Sequence, residues 1–266
     1  MICPGAGARR VALIARGTVR DGVRRRFSLL LFGCGAAGAG GGRLLRAFNF
    51  GVPEAKFICD FGQGCLLAAG SVFTVVLSVQ TLLGEWESRS AVTLLAKPVR
   101  RSEYLLGKYL GVLGLILCFC TVLTAMIALG LASAPGGDAG ESGKGLLVAA
   151  AGHVLRFSVL AAFTFLIATY ARSAASATLL SLGVLAVCQL QHLAQDAAAT
   201  AVAGSLRWPA LVARCCPNFQ VFDLTGLAGS FPGGDRSLLA SVAAYALWQV
   251  AGAGLLAVFS FRHREI

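Results

Sequence analysis

Charge is scarce in this chain, and acidic charge is scarcest. Aspartate and glutamate number 12 in 266 residues, and all charged residues together come to 13%. A soluble domain carries about 25%, so most of this chain cannot present a water-facing surface. No carboxylate pair and no Ser, His and Asp set sits where a buried active site could be assembled. The nine cysteines include no His or Cys pair at ligand spacing, which argues against a zinc or copper site. Cys34, Cys65, Cys118, Cys120 and Cys188 fall in apolar stretches, where a thiol acts as a small apolar residue. Cys59, Cys215 and Cys216 fall outside them, and a disulfide among these three stays open.

What fills the space is hydrophobic sequence, 57% of the residues, in long runs. Residues 61–84 and 109–134 contain no charge, and each is long enough to cross a hydrocarbon core of about 30 Å as a helix. The chain therefore reads as an all-α integral membrane protein in one transmembrane domain. Its six spans are expected at 27–48, 61–84, 105–134, 145–171, 174–198 and 237–261. His153 and Arg156 interrupt the fourth near one end, where an arginine can snorkel to the interface. The first is the shortest, with Arg43 and Arg46 near its boundary. Between the fifth and sixth spans an external, partly re-entrant region covers 203–235.

Six spans place both termini on one side. With the termini inside, Arg9, Arg10, Arg16, Arg20, Arg24, Arg25, Arg26, Arg89, Lys97, Arg100, Arg101, Lys108, Arg172, Arg262 and Arg264 are cytoplasmic, 15 of the 23 basic residues. The positive-inside rule thus predicts cytoplasmic termini and a cytoplasmic loop at 85–111. The net charge of +11 calls for anionic membrane lipid rather than nucleic acid, at about 1 kcal/mol per basic residue near the surface.

Near the N-terminus, Arg24-Arg25-Arg26 ahead of an apolar run and Leu31-Phe32-Gly33-Cys34 imitate targeting signals. Phe32 is bulky where cleavage boxes prefer small residues, and the expectation is an uncleaved first helix. Before it, Val11, Leu13, Ile14, Val19 and Val23 alternate with arginines. The segment is either an amphipathic helix along the inner surface or a basic flank.

Two glycine patterns imitate nucleotide sites. Gly33-Cys34-Gly35-Ala36-Ala37-Gly38 lies in an apolar run with no strand before it, so close helix packing is the better reading. Residues 137–145 fall short of a phosphate loop: Asp138 stands where the leading glycine belongs and Gly145 where a Ser or Thr would hold magnesium, and they are expected in an external turn. No ATPase site, and so no enzyme activity of its own, is expected. Gln189, Gln191, His192, Gln195 and Asp196 cluster at the outer end of the fifth span, either as a polar vestibule or as a solvated helix end, with His192 and Asp196 spaced to pair.

The loop at 85–111 holds eight charges between two charge-free runs. Residues 85–96 can form a short surface helix with Trp86 at the interface. Pro98 ends it by pushing Lys97 from helical angles, and a new helix begins near Ser102 with Glu103 in its first turn. Such a helix either receives force from a soluble partner or is an ordinary basic loop. The pattern of Glu85, Arg89, Thr93, Leu94, Leu95, Lys97, Pro98, Arg101, Glu103, Tyr104, Gly107, Lys108 and Gly111 resembles the signature of the type-2 ABC transporter permeases, with Ser90 in place of the usual threonine. Asp60-Phe61-Gly62, Ala171-Arg172-Ser173, Pro217-Asn218-Phe219, Phe222-Asp223 and Phe261-Arg262-His263-Arg264-Glu265 extend the resemblance over most of the chain, and its nearest branch is that of the multi-copper and nitrous-oxide-reductase maturation permeases.

That resemblance implies a six-helix subunit in the bacterial cytoplasmic membrane that pairs with a second permease copy, identical or not, and with a cytoplasmic ABC ATPase. ATP and magnesium would be bound by the partner, with no cofactor on this chain. Glu85, Arg89, Thr93, Leu94, Lys97, Pro98 and Arg101 would couple to the ATPase, while Gly107, Lys108 and Gly111 would pack the following helix. Trp208, Pro217, Asn218 and Phe219 would belong to the outer gate. The alternatives are a membrane anchor or sensor that moves nothing, and an ion-coupled secondary transporter. The second is opposed by span centres nearly free of ionisable groups.

Overall fold

In the computed structural model, the described residues are 4–24, 26–41, 54–87, 101–133, 139–200, 217–224 and 236–263, and among them there is no strand. Seven α-helices follow in order: α1 (Pro4–Arg24), α2 (Arg26–Gly41), α3 (Glu54–Glu87), α4 (Arg101–Ala132), α5 (Ala139–Tyr170), α6 (Ala174–Thr200) and α7 (Arg236–His263), with a 3-10 turn, Phe219–Phe222, between the last two. Their ends follow local chemistry. Pro4 opens α1, where the lost N–H has no helical partner in any case. The Ser173 hydroxyl accepts from the Ser176 amide at 3.3 Å and caps α6.

Five helices are long and apolar enough to cross a membrane: Ala55–Gly84, Ser102–Ala132, Gly145–Tyr170, Ala174–Gln191 and Ser237–Ser260. They match five of the six expected spans. For the first, the structure describes the 16 residues of α2, about 24 Å of helix, and the remainder of 27–48 lies outside the described residues.

Helices α3, α4 and α5 form the centre. Leu66, Phe73 and Leu77 of α3 pack with Val112, Ile116, Phe119 and Leu123 of α4 and with Phe157 and Phe165 of α5. Phe119 stacks on Phe73 with centroids 4.5 Å apart and meets Phe32 of α2 edge-on at 5.5 Å. In lipid such burial brings little hydrophobic gain, and close packing carries the association. α2 fits by its small residues: a Cβ on Gly35 would lie 3.2 Å from Leu123 and Phe119. Some hydroxyls inside the bundle bond to their own helices, as Ser71 donates to the Leu67 carbonyl at 2.7 Å and Thr164 to the Leu160 carbonyl at 2.8 Å, while the Tyr109 hydroxyl of α4 donates to the Ser158 carbonyl of α5 at 3.0 Å. Leu179 and Leu180 of α6 and Leu247, Trp248 and Leu255 of α7 are exposed, as residues facing lipid must be.

Two expectations change. Glu85 belongs to the last turn of α3, which runs on through Glu87, and not to a separate surface helix, because nothing at Gly84 or Glu85 breaks the helical ladder. Residues 139–145, expected in a turn, are the first turns of α5, since that stretch has no proline and Gly140, Gly143 and Gly145 do not prevent a helix.

The central helices exceed the membrane. α3 has 34 residues and α4 has 32, about 51 and 48 Å, against a core of about 30 Å. About 20 residues are enough to fill that core, so each helix has about 12 or more to spare.

Candidate functional site

Of the residues assigned to coupling, Glu85 and Arg101 mark the end of α3 and the start of α4. Arg89, Thr93, Leu94, Lys97 and Pro98 lie outside the described residues, as does Trp208 of the outer region.

Gly107 and Gly111, expected to allow close helix approach without a named partner, seat α1. A Cβ on Gly107 would stand 2.8 Å from the Ile14 Cβ and 3.1 Å from the Val11 carbonyl oxygen. On Gly111 it would stand 2.5 Å from the Thr18 Cβ and 2.9 Å from the Ala15 carbonyl oxygen. Further along the same pair of helices, Gly7 meets Glu103, Val19 meets Gly114 and Gly22 meets Leu115. The contacts advance together on both helices, so α1 and α4 run in the same sense and touch along their length. Ile14, Thr18 and Gly22 face α4 while Arg9, Arg16, Arg20 and Arg24 are exposed on the opposite side, a spacing that places the four arginines on one helical face. Arg10 Nη1 lies 3.8 Å from Glu103 Oε2, near enough for charge attraction though not for a hydrogen bond. As an exposed pair it contributes about 0 to 1 kcal/mol, so the glycine seat dominates. Lys108 is buried, with its ammonium 5.7 Å from the Tyr104 ring centroid.

At the other end of the bundle a buried polar node joins four elements. His153 and Arg156 of α5 are 4% and 5% exposed. His153 Nε2 pairs with Gln63 Oε1 of α3 at 2.7 Å, and Arg156 Nη2 donates to Gln189 Oε1 of α6. The guanidinium lies over the Phe219 ring, 5.1 Å from its centroid. Phe219 is held there by the turn. The Asn218 side chain accepts from the Gln220 amide at 3.0 Å, and the Asn218 amide contacts the Tyr245 hydroxyl of α7 at 3.0 Å. Gly152 permits the approach, because a Cβ there would collide with the Phe222 carbonyl oxygen and lie 3.3 Å from Leu224. Pro217 and Phe219, assigned to the outer region, are thus buried against the bundle.

Arg156 therefore does not snorkel. It points into the protein, and with His153 it corrects the expectation that the span interiors hold almost no ionisable groups. Gln189 as the partner of Arg156, Gln63 as that of His153 and Tyr245 as that of the Asn218 amide were missed. The signal within reach was the conjunction of His153 and Arg156 three residues apart, on one face of α5. Gln191 is buried on α6, while the side chains of His192 and Asp196 lie outside the described ones. Cys59 falls within α3 and Cys215 and Cys216 lie outside the described residues, where their disulfide question stays.

A helical bundle of lipid-facing spans, with charges kept to its ends and to one internal node, defines a polytopic membrane protein. Residues 41–206, more than half of the chain, match the family described as ABC-2 family transporter protein, and the chain belongs to that family. No curated protein matches the chain. Membership makes it an integral-membrane ABC transporter permease, the transport component of a family that implies association with an ABC ATPase subunit.

Proposed function

We propose that this chain moves a substrate across the bacterial cytoplasmic membrane with energy from ATP hydrolysed on a separate cytoplasmic subunit, and that residues 85–101 are where it receives that energy. The observation that carries the reading is the length and continuity of α3 and α4, which have 34 and 32 residues, more than a hydrocarbon core needs, and the segment between them lies inside the matched family region. A push on this segment moves two rods that pass through the whole core, because a packed helix transmits displacement rather than absorbing it. The positive-inside count places this segment in the cytoplasm together with both termini. A sixth span, expected at 27–48, includes α2 as its described part. A second permease copy covers part of the exposed apolar surface and lipid covers the rest.

In this scheme Glu85 and Arg89 meet charges on the ATPase, Thr93, Leu94, Lys97 and Pro98 shape the contact, and Arg101 opens the helix that carries the motion inward. A tagged chain extracted in mild detergent is expected to retain a protein that hydrolyses ATP. Never recovering one would sink the scheme. Reversing both charges, Glu85→Lys with Arg89→Glu, is expected to leave the chain inserted while stimulated ATP hydrolysis falls about tenfold or more, since like charges facing each other across an interface cost several kcal/mol. Hydrolysis and transport at the level of the unaltered chain would remove these two residues from the contact.

A further inference from the structure

The polar node holds a cationic donor that is not used up. Arg156 Nε is buried without any hydrogen-bond partner, as is His153 Nδ1, whose role as donor or acceptor depends on the tautomer. The partners they do have, Gln63 and Gln189, are neutral. Among the described residues, no Asp or Glu is buried, whereas Lys108, His153 and Arg156 are. Asp223 acts on both groups electrostatically, but it is exposed and makes no hydrogen bond to either Arg156 Nε or His153 Nδ1. A guanidinium within a membrane span is costly, and such groups sit where they meet an ion or substrate. Packing alone would be served as well by an apolar residue.

The unused donor defines the ligand chemistry. A guanidinium offers a planar fork of N–H groups that fits the two oxygens of a carboxylate or phosphate. His153, one turn away on the same face of α5, points a second unsatisfied nitrogen from the same region. Arg156 lies against the Phe219 ring and His153 against the Phe157 ring, and Phe219 belongs to an apolar cluster with Val75, Leu160, Cys188 and Phe222. The Phe219 ring lies over the guanidinium from a four-residue turn, which is held by the Tyr245 hydroxyl, by the Phe222 carbonyl seated on Gly152 and by the burial of Phe219, Phe222 and Leu224 in an apolar cluster.

We propose that Arg156, assisted by His153, is the recognition site for the head group of the transported molecule, an amphiphile bearing a carboxylate or phosphate on an apolar body, and that Phe219 covers the site when it is empty. The proposal rests on the permease reading, but its test needs no ATPase, so the two fail separately. The chain is purified in dodecyl maltoside, which carries no anion, and its thermal unfolding is followed with dodecyl phosphate, dodecanoate or inorganic phosphate added. A ligand that binds only the folded state raises the midpoint in a saturable way. At least one of the two amphiphiles is expected to do so, at concentrations where inorganic phosphate does not. Arg156→Gln is expected to weaken that response at least tenfold in half-saturating concentration, while Arg172→Gln, an exposed arginine at the α5 to α6 junction, leaves it unchanged. If Arg156→Gln cannot be purified folded, His153→Gln answers the same question and is expected to weaken the response. No saturable shift with either amphiphile, or the same half-saturation in the purified variant as in the unaltered chain, overturns the site. An equal response to inorganic phosphate overturns the amphiphile.

Discussion

Gly111→Leu is expected to detach α1 from α4 while leaving the spans folded, and trypsin is expected to cut after Arg16 and Arg20 at least ten times faster than in the unaltered chain. Two effects oppose each other. Leucine in place of glycine favours a helix by up to about 1 kcal/mol, which would stabilise α4 alone. Against this, the first added carbon already stands 2.9 Å from the Ala15 carbonyl oxygen. That atom belongs to backbone, so no rotamer change relieves the contact. Overpacking costs about 1 to 3 kcal/mol per site, and here the remaining leucine atoms must also be placed between two touching helices. The glycine seat outweighs the propensity gain because the other link, the Arg10 and Glu103 pair, is weak. Gly17→Leu is the control, since nothing lies within 4 Å of a Cβ there. Equal cleavage of the Gly111→Leu and Gly17→Leu chains would mean that α1 is held by something other than this seat.

The consequence for transmission is that the first helix to move with α4 need not be a spanning one. α1 lies against residues 103–115 of α4, and its Gly22 also meets Leu77 of α3. Its four exposed arginines face away from both rods, toward water and lipid head groups, where each adds about 1 kcal/mol on an anionic surface. α1 thus clamps the rods near the membrane boundary.

Much of this was legible from residue order, and the part that was not has a physical reason. Charge-free runs announced α3, α4 and α7, since twenty apolar residues have few other stable states. The face of α1 was legible as well, because arginines at 9, 16, 20 and 24 recur at a helical period. Its partner was not. Two glycines four apart show that a backbone approaches but not which one, and Gly107 and Gly111 served α1 rather than a neighbouring span. Glu85 misled because acidic residues commonly mark a water boundary, yet a helix continues past that boundary as long as its own hydrogen bonds do. The node at Arg156 was the hardest to see. Its partners stand 90 and 33 residues apart in sequence, at Gln63 from His153 and at Gln189 from Arg156, and only the packing order of α3, α5 and α6 brings them together.

That packing order gives the second large effect, at Gly152. Gly152→Ala adds one methyl group and, on helix propensity alone, should stabilise α5 by up to about 1 kcal/mol. In place, the methyl meets the Phe222 carbonyl oxygen and then Leu224 at 3.3 Å. A packed helix core gives way less easily than a four-residue turn, so the turn is expected to move, drawing Phe219 off Arg156 and breaking the Asn218 contact to Tyr245. Cys188 reports on this directly. It is 1% exposed and lies in the same apolar cluster as Phe219 and Phe222, so lifting the turn removes part of its cover. In a chain keeping only this cysteine, N-ethylmaleimide is expected to label Cys188 at least ten times faster after Gly152→Ala, with the five long apolar helices still inserted. Unchanged labelling would show that the turn tolerates the methyl and that Gly152 does not set its position. Faster labelling means that a single methyl decides whether the guanidinium is covered, and the strength of that cover is then the natural quantity for ATP-driven motion to act upon.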